Sequence, residues 1–320
     1  MFSVFEKIKN FFKSKHMKRI AESSDTSRLF WLIKKEKDIG KIQCMLSNYV
    51  TVLSSDEILE IISKMPVKNR LDMLSSYKRY ITPYDLSEFI VKKLDTDWKI
   101  KALNEFKDIL DIFDIYKIFE NISPDKRIEA LDVIVDRLDS SNLADMIKKY
   151  VPYSQRKEAI LKYDNQLDVF SKVGIIKKMP SNDIAEVLEK YKDILSSSNI
   201  LEILDKVPSS KIEKVINVVK DKLTSSSLAD IITYKALEKD RLNLLLECSD
   251  YIEPAMIADI IKNALDNENR KIAILHLKDK LDEKLIGEIV QYYLKDDKEL
   301  IEQLKNNMYE EDYNYLKKIG

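Results

Sequence analysis

The sequence predicts an all-α protein, an elongated or curved α-solenoid of roughly ten stacked two-helix repeats. Three observations carry that expectation: glycine is scarce, prolines recur at a fixed interval, and an apolar residue closes each interval in register. Four glycines in 320 residues leave little supply for tight hairpins or for loops that cradle phosphates. Pro124, Pro152, Pro180 and Pro208 follow one another at one constant interval, with Pro66 earlier in the same phase. Proline cannot continue a helix and restricts the residue before it, so each marks a helix-to-helix joint. Ile81, Leu110, Leu138, Leu167, Leu195, Leu223, Ile252, Leu281 and Met308 keep the same spacing to within a single position. Two residues before these anchors lie Asp108, Asp136, Asn165, Asp193, Asp221, Asp250, Asp279 and Asn306, with Arg79 departing. The phrase "IISKMP" (61–66) returns as "IIKKMP" (175–180), and eight of 21 positions starting there are identical. Such a phrase is architecture.

The chain opens with "MFSVFEKIKNFFKSKHMKRI". Six basic residues against Glu6 give this segment +5 and leave −6 for the other 300 residues. On a helical wheel Met1, Val4, Phe5, Ile8, Phe11 and Phe12 fill roughly 120°, with Lys7, Lys9, Lys13 and Lys18 outside. An aromatic apolar face beside a lysine face describes a helix lying on an anionic membrane surface. Phe2, Phe5, Ile8, Phe11, Phe12, Lys7, Lys9 and Lys13 are its expected contacts. The alternatives are a cap over the open end of the first repeat, or a targeting or export segment. The longest apolar run, "LFWLI" (29–33), is too short to span a membrane. The expected organisation is an amphipathic basic helix and connector at 1–26, the solenoid at 27–309, and a C-terminal cap at 310–320.

Each unit reads as a short helix A, a joint and a longer helix B. Helix A opens on Asn142 with Asp145, Asn199 with Glu202, and Ser227 with Asp230, pairs spaced as capping boxes. "LADMI" (143–147), "LADII" (228–232) and "IADII" (257–261) are near-copies of one A helix. In helix B, Leu131, Ile134, Val135 and Leu138 mark one face at the i, i+3, i+4, i+7 spacing. One pair of helices cannot bury both its faces alone; stacked on like neighbours it can.

Eleven residues before the anchors lie Arg70, Lys99, Arg127, Arg156, Arg241 and Arg270, six cations over nine units. Lys99, Arg127, Arg156 and Arg270 are followed three residues later by Ala102, Ala130, Ala159 and Ala273. In this the chain resembles the HEAT family of helical repeats, whose second helix often carries Arg or Lys and then a small residue. The units here are shorter than that family's, and its glycine near the unit end is missing. Stacked cations could track a phosphate backbone. However, Arg127 shares a helical face with Leu131, Ile134 and Leu138, and two units carry Ile184 and Ile212 at the ladder position. The ladder is therefore expected to be structural, each cation pairing with joint carbonyls or a neighbouring acid. The Asp/Asn row before the anchors opposes the helix macrodipole; the free N–H groups of the following A helix are its expected partners.

No catalytic residue, metal-ligand set or cofactor motif stands out. His16 and His276 are far apart, Cys44 and Cys248 belong to no spacing motif, and Tyr77, Tyr163 and Tyr191 fall in core phase. Tyr292, Tyr293, Tyr309, Tyr313 and Tyr315 form an expected exposed group near the C-terminus. The cysteine usage and the absence of a secretory pattern fit a cytoplasmic protein, with peripheral attachment to a membrane if residues 1–20 contact one. The function expected is a non-enzymatic scaffold or adaptor whose repeat surface binds protein partners. The alternative is a helical-repeat nucleic-acid binder.

Overall fold

A computed structural model describes residues 17–19 and 26–319, so the membrane contacts expected at Phe2, Phe5, Ile8, Phe11, Phe12, Lys7, Lys9 and Lys13 lie outside the described residues. Among the described residues every regular element is helical. The chain divides into two compact units, one ending at Pro152 and the other beginning at Tyr153.

The first unit holds α1 (Thr26–Lys34), α2 (Ile39–Tyr49), α3 (Ser55–Ser63), α4 (Val67–Tyr77), α5 (Pro83–Lys93), α6 (Thr96–Phe106), α7 (Ile112–Glu120), α8 (Arg127–Ile134) and α9 (Ser140–Lys149). The second holds α10 (Arg156–Lys162), α11 (Val169–Ile176), α12 (Ser181–Tyr191), α13 (Ser197–Leu204), α14 (Ile212–Val219), α15 (Ser225–Asp230), α16 (Glu238–Cys248), α17 (Pro254–Ala264), α18 (Asn267–Leu277), α19 (Glu283–Tyr293), α20 (Lys298–Gln303) and α21 (Glu310–Ile319). Odd-numbered helices are the A helices and even-numbered ones the B helices.

Within each unit a helix packs on the one two places further along. In the first, α1 meets α3, α3 meets α5 and α5 meets α7, while α4 meets α6 and α6 meets α8. In the second, α12, α14, α16 and α18 follow one another as one layer, and α15, α17, α19 and α21 as another. This is helical-repeat packing, with the apolar stripes of both layers turned inward: Leu131 and Leu188 of B helices and Leu143 and Ile200 of A helices are fully buried.

The A and B helices are similar in length, where the sequence suggested a short A and a long B. The reason lies at the end of B. Most B helices tighten into a 3₁₀ turn, as at Lys78–Tyr80, Val135–Arg137 and Lys220–Lys222, and so use residues that continue the helical pattern. The anchor follows in extended backbone, φ −112° and ψ 130° at Ile81, and the chain reverses there. Every anchor is buried except Leu138, which is half-buried.

That reversal also fixes the caps, three residues earlier than expected. Asp139, Ser196 and Thr224, each immediately after an anchor, accept from the backbone N–H of Asn142, Asn199 and Ser227. The three expected caps thus occupy the third helical position. Ser54, Thr82, Asp111, Asp168 and Asp282 cap their helices in the same way. With those N–H groups engaged, the Asp row finds other partners. Asp136 pairs with Lys107 at 2.7 Å, Asp193 with Lys222 at 2.8 Å, Asp108 with Arg137 at 3.8 Å, and Asp250 with Lys280. Each of these cations belongs to the neighbouring helix pair, so the row ties the ends of successive B helices together.

Candidate interaction surface

The ladder cations sit in the first turn of the B helices, where the joint brings the open carbonyls of an A helix beside them. Arg70 donates from Nε to the Met65 carbonyl and from Nη2 to the Ser63 carbonyl, both at 2.9 Å, at the end of α3. Its Nη1 crosses to the Lys93 carbonyl, 2.5 Å away at the end of α5. Arg127 repeats the arrangement: Nε to Ile122 and Nη2 to Glu120 at 3.1 Å, and Nη1 to the Tyr150 carbonyl beyond α9. One guanidinium therefore closes two helix C-termini belonging to successive helix pairs, groups that want a cation and a donor together.

The other rungs make part of this set. Lys99 reaches the Asn121 carbonyl at 2.9 Å, Arg156 the Lys178 carbonyl, and Arg241 the Ala264 carbonyl at 3.1 Å. Arg270 donates to Ile261 and Lys262 at 3.0 and 2.7 Å and to Asn267 Oδ1 at 2.7 Å, and it lies 4.4 Å from the Tyr293 ring centre. Burial pulls the Lys99 ammonium and the Arg156 guanidinium below their usual ranges. In α16 the buried Nε of Arg241 has no partner. The carbonyl that Nε uses in Arg70 and Arg127 lies five residues back; here that residue is Ala236, which follows a π turn at Ile231–Lys235.

Counting back eleven from Leu53, the buried anchor of the first pair, gives Ile42. No guanidinium fills this joint. A groove of about 550 Å³ lies there instead, lined by Lys34 at the end of α1, Lys35, Glu36 and Lys37 after it, Ile39 and Ile42 of α2, and Lys64 and Met65 after α3. By the spacing of Arg70 and its partners, a ladder arginine at 42 would meet the carbonyls of Lys35, Lys37 and Met65. All three residues line the groove. Lys34 is engaged by Glu60 and lies 4.4 Å from the Trp31 ring centre, with Trp31 itself half exposed. The Glu36 carboxylate accepts from the backbone N–H of Lys37 at 3.0 Å.

A second feature lies on the outer face of the A helices. Tyr84, second residue of α5, is 64% exposed, and Phe113, second residue of α7, is 80% exposed. In the second unit Phe170, second residue of α11, is 82% exposed. Beside Tyr84 a groove of about 550 Å³ runs between α3 and α5, lined among others by Asp56, Leu59, Glu60, Tyr84, Glu88 and Phe89. Lys117 of α7 pairs with Glu88 of α5 and lies 4.8 Å from the Tyr84 ring centre. This shared phase was readable in the sequence, since Tyr84 and Phe113 stand one repeat apart, but was masked by the proline and anchor phases.

The remaining candidates divide cleanly. His276 is exposed, its Nδ1 2.9 Å from the Ile272 carbonyl of its own helix. Cys248 is buried, which pushes its thiol up to about 11, whereas Cys44 is exposed. Tyr77, Tyr163 and Tyr191 are buried. Of the C-terminal tyrosines, Tyr292, Tyr309 and Tyr315 are exposed, but Tyr313 is buried and donates to Glu302 at 2.6 Å, and Tyr293 is half-buried beneath Arg270. Among the described residues no group of three His, Cys, Asp or Glu side chains could hold a metal ion, and no helix is long and apolar enough to cross a membrane. No family model matches the chain, and no curated protein or solved structure matches it either.

Proposed function

We propose that the chain is a non-enzymatic scaffold that binds protein partners on the outer face of its A helices and is held at a membrane surface by residues 1–20. The observation that supports this reading most is the pair Tyr84 and Phe113, two aromatic side chains at one repeat position on packed helices, both largely in water. Tyr84 lines the groove between α3 and α5, and exposed rigid aromatic side chains are frequent anchors of a protein interface. The partner is a segment that offers apolar side chains among basic ones: Asp56 lines the groove, where Glu60 and Glu88 are already paired with Lys34 and with Lys92 and Lys117, and residues 82–320 carry −8, since residues 1–81 carry +7 of a total of −1.

Nucleic acid is the weaker reading. It drew on the six ladder cations, and all six donate to backbone carbonyls. The test is capture of partners from nuclease-treated host lysate by the full chain and by a Tyr84→Ala/Phe113→Ala variant. Both side chains are exposed, so the variant melts like its parent. The reading expects a nuclease-resistant partner that the variant loses. Partners that disappear with nuclease, or that bind the variant equally, contradict it.

A further inference from the structure

Among the described residues, three lysines at the first joint form no ion pair. Lys35, Lys37 and Lys64 surround the groove left open by Ile42, all three are exposed, and no side-chain hydrogen bond or ion pair within the described residues engages their ammonium groups. Lys34, the fourth cation there, is neutralised by Glu60, and one acid on the rim, Glu36, lies among them. The groove is therefore a cationic ring around an apolar floor of Ile39, Ile42 and Met65. Elsewhere the protein resolves similar crowding internally: Lys107, Lys177, Lys222, Lys262 and Lys280 each meet a carboxylate of the next or preceding helix pair. At the first joint Lys34 meets Glu60 in this way, and Lys35, Lys37 and Lys64 meet no carboxylate among the described residues.

We infer that this joint is a docking surface for anionic phospholipid headgroups, a folded second contact that works beside residues 1–20. The inference rests on the membrane part of the proposed function. Four features argue for a lipid surface over other anions. The ring of ammonium groups has an apolar floor, which suits a phosphate that carries glycerol and acyl carbons rather than a bare ion. Trp31 stands half exposed on the helix that ends in this groove, and tryptophan is the side chain that settles at the boundary of headgroups and acyl chains. Lys18 and Arg19, close in sequence, are exposed as well. Finally, the chain is electrically divided, +7 over residues 1–81 and −8 over residues 82–320. An anionic surface attracts the first part, which holds the first joint, and repels the second.

At the first joint isoleucine stands where most pairs carry a ladder cation, as it does at Ile184 and Ile212, and here a groove lies beside it. A ladder arginine would fill the joint and satisfy its carbonyls from within, as Arg70 does one pair later. Isoleucine at 42 keeps the backbone plan and leaves the lysines facing outwards.

The test uses the full chain and vesicles of phosphatidylcholine with phosphatidylserine, read by flotation at low and moderate salt. Lys35→Gln/Lys37→Gln/Lys64→Gln is compared with Lys211→Gln/Lys214→Gln/Lys239→Gln, which removes the same charge from exposed lysines of the second unit. Each lysine near an anionic leaflet strengthens binding roughly fivefold, so loss of three weakens it on the order of a hundredfold. The inference expects that loss in the first variant only, with melting temperatures unchanged in both and a shallower salt dependence in the first. If the parent chain does not float at all, the membrane reading fails and takes the inference with it. If the parent floats and the two triple variants float equally, the inference alone is overturned. A first variant that keeps vesicle binding but loses binding to single-stranded RNA would also overturn it, and would make nucleic acid the occupant.

Discussion

The joints at Ile42 and Arg70 are neighbours on one backbone plan and differ chiefly by a side chain. At Arg70 a guanidinium donates to three carbonyls and draws two A helices together. At Ile42 an apolar side chain buries itself and leaves a groove ringed by lysines. The ladder position can therefore be changed without changing the helices around it, provided the newcomer is either long and cationic or compact and apolar. Buried Ile184 and Ile212 make the same point in the second unit. What sets the first joint apart is the groove beside Ile42 and the lysines that line it.

The sharpest way to break this comparison is to put arginine at two adjacent core positions of α2. Leu46→Arg buries a charge where no joint carbonyl waits, and destabilises the protein by ~3–5 kcal/mol. Ile42→Arg places the same charge one turn earlier, where carbonyls do wait, and changes stability by about 1 kcal/mol or less. Denaturant unfolding followed by circular dichroism measures both. Equal losses would show that position 42 is ordinary core.

The next effect concerns how completely each rung is bonded. Arg127→Ala removes three donors from two helix ends and costs ~1–3 kcal/mol. Arg241→Ala costs less than that, because its Nε is already without a partner. A reversed order, read from the same unfolding curves, would mean that the bonds described for Arg127 do not hold the joint closed.

A pH experiment separates an internal ion pair from the open joint. Asp164 lies 2.8 Å from both Lys172 and Lys190, and hydrogen bonds from these two ammonium groups pull its carboxyl down to about 2. The folded value is below the unfolded one, near 3.8. Its contribution is thus complete above pH ~4 and disappears as pH falls through about 2. Asp164→Asn should be less stable than the parent at pH 6, and the gap should close on acidification to pH 2. A gap that persists unchanged at pH 2 would remove the carboxylate from the account.

The smallest effect is chemical rather than energetic. A thiol reagent at pH 8 should label Cys44 quickly in the native protein and Cys248 only on unfolding, because burial both shields the second thiol and keeps it protonated. Two fast thiols would contradict the packing of α16.

The repeat was legible in the sequence because its signals are one-dimensional: proline marks a joint wherever it stands, and the anchors keep their phase across the chain. The ladder could be placed for a similar reason, since the helical period alone puts Arg127 on the face of Leu131. The caps were misplaced by three because runs such as "DSSN" at 139–142 and "SSSN" at 196–199 offer several capping residues in a row. Only the backbone reversal at the anchor decides among them. The partners of Asp136 and Asp193 were out of reach, since Lys107 and Lys222 each lie a whole repeat away and adjacency between stacked helices is not a property of either helix. The open joint was hidden for the opposite reason. It is recognised by what Ile42 fails to fill, and that becomes visible only once Arg70 shows what belongs there.

The central claim is that filled joints are architecture and the unfilled first joint is a contact. Flotation of Arg127→Ala beside Lys35→Gln/Lys37→Gln/Lys64→Gln, below the melting temperature of either, tests it most directly. The account predicts that the less stable Arg127→Ala chain floats with phosphatidylserine vesicles as its parent does, and that the fully stable lysine variant stays in solution. Loss of flotation in Arg127→Ala together with retention in the lysine variant would contradict it.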